Sequence, residues 1–132
     1  MKLFNFVVGT MIAICFVVGA RSRINQPVTP SGDEWFENAV TKSSRPVLVK
    51  FGADWCGPCR HMEKVLDDLE SKVAGKVKIV RINVDDKPQL AAHYGVSAIP
   101  RFFVIKDGKV VASRVGGFAD AQQTKSWLDQ QL

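Results

Sequence analysis

The chain has 132 residues, 18 lysines and arginines against 13 aspartates and glutamates, and a formal net charge of +5. That length suits one domain of ordinary size, and 46% hydrophobic residues suffice for a packed core without disulfide staples. The basic excess is spread along the chain, with no Lys/Arg run and no interleaving of basic and aromatic residues, so it reads as a solvated surface rather than a nucleic-acid groove.

Residues 3–20, LFNFVVGTMIAICFVVGA, carry no charge; Lys2 precedes them and Arg21 and Arg23 follow. Such a stretch is expected to be a signal peptide or an N-terminal membrane anchor. Val18-Gly19-Ala20 offers small residues for cleavage after Ala20, while the length is just sufficient for a span. Either fate is expected to place the remainder outside the cytoplasm, secreted or anchored, which is the periplasm if the source is bacterial, with membrane contact confined to residues 3–20. Cys15 lies inside this run, behind Ile14 where a lipoprotein signal wants a small residue, and reads as an ordinary apolar residue. Residues 21–32, with Pro27, Pro30 and Gly32, read as a polar linker, which leaves 33–132 as the folded domain.

Within that domain, Trp35, Phe36, Ala39 and Val40 fall at helical spacing, with Ser31 or Asp33 as the cap. RPVLVKFGA (45–53) is a short, nearly continuous apolar run, as in a central strand covered on both faces. Met62, Val65, Leu66, Leu69 and Val73 define one face of a helix of about four turns. KVKIVRINVD (76–85) alternates as a strand, and PQLAAHYG (88–95) is a short helix opened by proline and closed by glycine. RFFVIKDGKVVASRV (101–115) is two strands around Asp107-Gly108, a hairpin signal. Asp120 caps a last helix that turns Trp127, Leu128 and Leu132 inward. Strands alternating with helices and closing on a hairpin imply an α/β fold with a central mixed β-sheet flanked by helices.

WCGPC (55–59) poses the chemical question. A zinc site needs four ligands; Cys56 and Cys59 supply two, and the histidines, His61 and His93, form no second pair. Covalent haem would need histidine where Arg60 stands. A redox pair fits better. The motif follows a strand and opens a helix, so Cys56 lies at a helix N-terminus, where free N–H groups and the helix dipole stabilise a thiolate. Cys59 lies one turn further in, spaced to close a disulfide. Gly57 allows the tight approach, and Pro58 suits the first turn, where its missing N–H costs little. Trp55 is placed to cover the nucleophile, or is a plain aromatic.

FGADWCGPCR (51–60) resembles the active-site segment of thioredoxins. The likeness extends over about residues 33–132 through Asp85, Tyr94-Gly95-Val96, Ile99-Pro100, the Asp107-Gly108 hairpin and Val115-Gly116-Gly117. The resemblance implies a thioredoxin-like fold, a cis peptide at Ile99-Pro100 facing the cysteines, and a substrate-binding edge formed by Ile99, Pro100 and Gly116. It further implies thiol–disulfide exchange on protein disulfides, most simply as a reductant, with no bound cofactor beyond the Cys56–Cys59 disulfide. Outside the cytoplasm a membrane electron donor is the expected source of electrons, and a monomer the expected state. An oxidant or isomerase, or a redox-inactive adaptor of the same fold, are the alternatives.

The chain departs from that family at several positions. Lys50 stands where thioredoxins usually carry a buried aspartate, thought to take a proton from the second thiol. A lysine there either favours the reduced, anionic form and makes the pair more oxidising, or turns its ammonium out to solvent. Arg101 follows the proline, where threonine is frequent, and is expected to attract acidic substrates, to lower the Cys56 pKa, or to point away. Arg81 occupies the position of a lysine that pairs with the missing aspartate, so that ion pair cannot form. Lys64 replaces a helix-bending proline.

Overall fold

The structure, a computed structural model, describes residues 26–132; the expected signal or anchor and Cys15 lie outside the described residues. The elements run β1 (Gln26–Pro27), α1 (Glu34–Phe36, continued by a π-helical turn over Glu37–Thr41), β2 (Val47–Gly52), α2 (Gly57–Val73), β3 (Lys78–Asn83), α3 (Pro88–His93), β4 (Arg101–Lys106), β5 (Lys109–Val115) and α4 (Ala121–Asp129). One sheet orders them β1-β5-β4-β2-β3. β2 and β3 are parallel, whereas β2 with β4, β4 with β5 and β5 with β1 are antiparallel. The mixed α/β sandwich expected from the element order is therefore the architecture found.

The all-apolar reading of β2 has its cause in the topology. The strand lies between β3 and β4, and all of its residues are buried. Alternation along it feeds two cores. Val47, Val49 and Phe51 join Phe36, Val40, Leu90, Phe103 and Ile105 on the face covered by α1 and α3. Leu48 joins Met62, Leu66, Leu69, Phe102, Val104 and Leu128 on the face covered by α2 and α4. Period-two strands packed on period-3.6 helices thus divide one chain into two apolar layers. The β4–β5 turn is tight because Asp107 and Gly108 both take positive φ, 52° and 68°, as a two-residue hairpin requires.

Helix starts follow side-chain chemistry. Asp33 Oδ1 accepts from Phe36 N at 2.9 Å, and Asp120 Oδ1 accepts from Gln123 N at 2.7 Å. Ser31, the other candidate cap, instead gives its N and Oγ to Glu37 Oε1. Three expectations are corrected. Trp35 is 50% exposed, because the inward face is taken by Phe36 and Val40, with Ala39 beside them; Lys87 Nζ lies over its ring, 5.0 Å from the centroid. Leu132 is 43% exposed, because α4 stops at Asp129 before it can carry that residue inward. Inside the stretch expected as linker, Gln26–Pro27 pairs with Lys109 and Val110 as an edge strand, a place where proline's missing N–H does no harm.

Leu66 is fully buried between α2 and the sheet. Leu66→Ala is expected to cost about 3 kcal/mol of unfolding free energy, measured by urea denaturation of the oxidised protein.

Candidate active site

β2 ends at Gly52, and α2 opens a few residues later with Cys56 as its N-cap. The connecting turn is closed by Cys56 N donating to Ala53 O at 3.2 Å. The backbone of Cys56 is extended, and its Sγ accepts from Cys59 N at 3.3 Å. Its sulfur therefore occupies the place where a helix offers unpartnered N–H groups and the positive end of its dipole. Cys56 and Cys59 are disulfide-bonded, with Cα atoms 5.2 Å apart. Cys56 is 7% exposed and Cys59 1%, so the two sulfurs are unequal: one lies at the helix mouth, the other beneath it. Gly57 and Pro58 lie exposed in the first turn.

The surroundings of Cys56 come from three further segments. Ile99 packs on the small cluster of Ala53, Cys56 and Cys59. The Ile99-Pro100 peptide is cis, and Pro100 O accepts from Gly116 N at 2.9 Å, which ties the proline loop to the end of β5. Gly116 takes φ +87°, a conformation that suits glycine. Trp55 does not bury itself over the disulfide: it is 69% exposed, with its indole Nε1–H donated to Asp85 Oδ2 at 2.9 Å. Val115 beside this loop is 55% exposed, so the rim of the site carries apolar surface.

Arg101 belongs to a different surface. Its guanidinium donates to Ser113 Oγ at 3.1 Å and lies over the Phe103 ring, 5.0 Å from the centroid. Alternation along β4 puts Arg101 on the Phe103 face, and its contacts are made there rather than with the cysteines. The third of its expected dispositions, pointing away, is the one found.

Lys50 is the unusual feature. It shares the α2-facing side of β2 with Leu48 and Gly52 and is only 3% exposed, so its ammonium does not reach solvent. Its Nζ donates to Cys59 O at 3.3 Å and to Glu63 Oε1 of α2. In the sheet register Lys50 is paired with Arg81 on β3, and two like charges in that relation repel. Glu63 resolves this by bridging them: its Oε2 meets Arg81 Nε at 2.9 Å. Arg81 also meets Asp67 at 2.8 Å and Glu70 at 2.6 Å. The carboxylate missing from position 50 thus has a counterpart elsewhere. Position 50 supplies none, but α2 does, through an acidic stripe at residues 63, 67 and 70 beside its apolar face. That i, i+4, i+7 spacing was available in the sequence; what it faced was not. Gly52 completes the arrangement. A Cβ there would come within 2.8 Å of Lys50 Cε and 3.3 Å of Cys59 Cβ, so its absence opens the passage for the lysine stem.

These residues line a cleft of about 280 Å³ bounded by Lys50, Gly52, Cys59, Arg60, Glu63 and Arg81. Among the described residues no group of three or more His, Cys, Asp or Glu is placed to hold a metal ion.

A dithiol–disulfide pair capping a helix, beneath a cis-proline loop on a mixed sheet, defines the class of thiol–disulfide exchange domains. A sequence model of the thioredoxin family matches residues 27–130, and this chain belongs to that family. The thioredoxin of Haemophilus influenzae is 48% identical over 90 residues, covering 68% of this chain and 84% of its own. That of Acidithiobacillus ferridurans is 39% identical over 100 residues, covering 76% and 92%.

Burial, with repulsion from Arg81 added and attraction to Asp54 opposing, pushes the Lys50 ammonium down from 10.5 to about 8. The folded chain then releases this proton near pH 8, whereas the unfolded chain holds it to about 10.5. The cost of burying the charge is fully present below the lower value and lifts as pH rises through the window. Relative to Lys50→Met, the oxidised wild-type chain is expected to gain stability across that window by up to about 3 kcal/mol, read from urea denaturation at stepped pH.

Proposed function

We propose that this thioredoxin-family protein reduces disulfides of other proteins outside the cytoplasm, drawing electrons from a membrane donor. The observation that carries the exchange chemistry is the Cys56–Cys59 disulfide at the N-terminus of α2. In its reduced form, Cys56 thiolate attacks a substrate disulfide. One substrate sulfur becomes bonded to Cys56, and the other leaves as a thiolate and takes a proton. Cys59 then loses its proton and attacks Cys56 Sγ. The mixed disulfide breaks, the second substrate thiolate leaves, and the domain is oxidised by two electrons. Atoms and electrons balance between thiols, so the reaction needs no bound cofactor.

The exposed Trp55 and Val115, with Ile99, Pro100 and Gly116, offer an apolar and backbone rim for an extended substrate segment. The charge-free residues 3–20 between Lys2 and Arg21 support export or anchoring, and export separates the domain from soluble cytoplasmic reductants, which favours a membrane donor. No helix among the described residues is long and apolar enough to cross a membrane. One observation favours the oxidant reading as the second choice: a buried cation lies beside Cys59, and a cation stabilises the reduced, anionic form.

In an insulin-reduction assay with dithiothreitol, the wild-type chain is expected to accelerate turbidity. Cys56→Ser is expected to abolish the acceleration, and Cys59→Ser to accumulate a mixed disulfide visible on a non-reducing gel. A wild-type chain without activity removes the enzymatic reading.

A further inference from the structure

Cys59 has a problem that Cys56 does not. It must lose a proton before it can attack, yet at 1% exposure burial alone holds a thiol protonated. The groups bordering the cleft behind it are Lys50 from β2, Arg81 from β3, Arg60 and Glu63 from α2, and Asp54 from the connecting loop. Arg60 Nη1 is donated to Asp54 O at 3.1 Å. Arg81 is engaged by Glu63, Asp67 and Glu70. Lys50 is the cation that faces Cys59: its Nζ lies 3.3 Å from Cys59 O. The point where a Gly52 Cβ would stand is 3.2 Å from that Nζ and 3.3 Å from Cys59 Cβ.

We propose that Lys50 and Glu63 form a charge couple that sets the acidity of Cys59, Lys50 favouring its thiolate and Glu63 acting as the positioning residue that keeps Lys50 charged and held in place. The inference rests on the dithiol reading above and assigns its second half-reaction. During resolution the Cys59 proton leaves through the cleft to water. The sulfur's electron pair forms the bond to Cys56 Sγ, and the substrate sulfur departs as a thiolate and is protonated. Below about pH 8, where the folded chain still holds that proton, Lys50 stays charged throughout the step. The roles follow from exposure: the Lys50 side chain is 4% exposed and that of Glu63 43%. Glu63 can hold a full negative charge against solvent while it touches the buried ammonium on one oxygen and Arg81 on the other. Without that carboxylate, Lys50 and Arg81 face each other directly, and the less solvated of the two is the one to give up its charge.

The test follows two releases in one experiment. Reduced full-length protein is mixed with a chromogenic aromatic disulfide in stopped flow. The first coloured thiol reports attack by Cys56, the second reports resolution by Cys59, and Cys59→Ser shows the first alone. The second release is recorded between about pH 5 and pH 10. In Lys50→Met its half-point is expected to rise by about one unit, a roughly tenfold slowing at neutral pH. Glu63→Gln is expected to raise the half-point by less, and Glu63→Asp to return it toward wild type. In a Lys50→Met background, Glu63→Gln is expected to raise it no further, since Glu63 acts through Lys50. An unmoved half-point in Lys50→Met overturns the couple. So does an equal rise from Glu63→Gln in both backgrounds, which would make the carboxylate itself the proton acceptor. Normal first release with unshifted resolution overturns the couple alone, whereas absence of the first release in the wild-type chain overturns the dithiol reading and the couple together.

Discussion

The chemistry depends on one junction, the passage from β2 into α2. β2 is buried along its whole length and gripped by a strand on each side, so its C-terminal end is fixed relative to the sheet. α2 is fixed in turn by the apolar face that runs from Met62 to Val73. Between two anchored elements a short turn has little freedom, and that turn presents Cys56. A sulfur at a helix N-terminus is stabilised as an anion only if the N–H groups stay aimed at it, because the effect fades within the first turn. Core packing far from the disulfide therefore holds the nucleophile's electrostatics in place.

Burying a lysine in the same core is costly unless the charge is matched. The match here is a chain of alternating signs, Lys50 to Glu63 to Arg81 to Asp67 and Glu70. It runs outward from 3% exposure at Lys50 to the exposed flank of α2. Each member after the first is wetter than Lys50, so the desolvation cost is concentrated at one group. That gradient puts the desolvation that lowers the Lys50 pKa on the least exposed member of the chain.

Much of this was legible beforehand. The apolar run of β2, the periodic face of α2, the Asp-Gly turn and the Asp120 cap are local signals, and each structural element formed where its signal lay. The pairing of Cys56 with Cys59 was equally local. What sequence reasoning missed was relational. Lys50 was recognised as out of place, but its partner lies thirteen positions away on a helix packed against the strand; the apolar face says which side of α2 meets the sheet, and nothing in the order of residues sets Glu63 opposite Lys50. Arg101 was read by its proximity in sequence to Pro100, whereas strand alternation had already assigned it to the opposite layer. Trp35 misled for a similar reason, since adjacent residues on a helix point a hundred degrees apart and only one of the Trp35-Phe36 pair could turn inward.

The two sulfurs consequently answer to separate controls. Cys56 belongs to the helix end and to the proline loop, where backbone N–H groups and the helix dipole act on it alike at every pH. Cys59 belongs to the cleft, where titratable side chains meet. A substrate touches the first set and not the second, so attack on a partner and closure of the ring can be tuned independently. In the couple proposed above, the cation at position 50 acts on the closing step, because it lies against Cys59 on the side away from Cys56's helix mouth. Such a division leaves substrate contacts untouched while altering how quickly a captured partner is released.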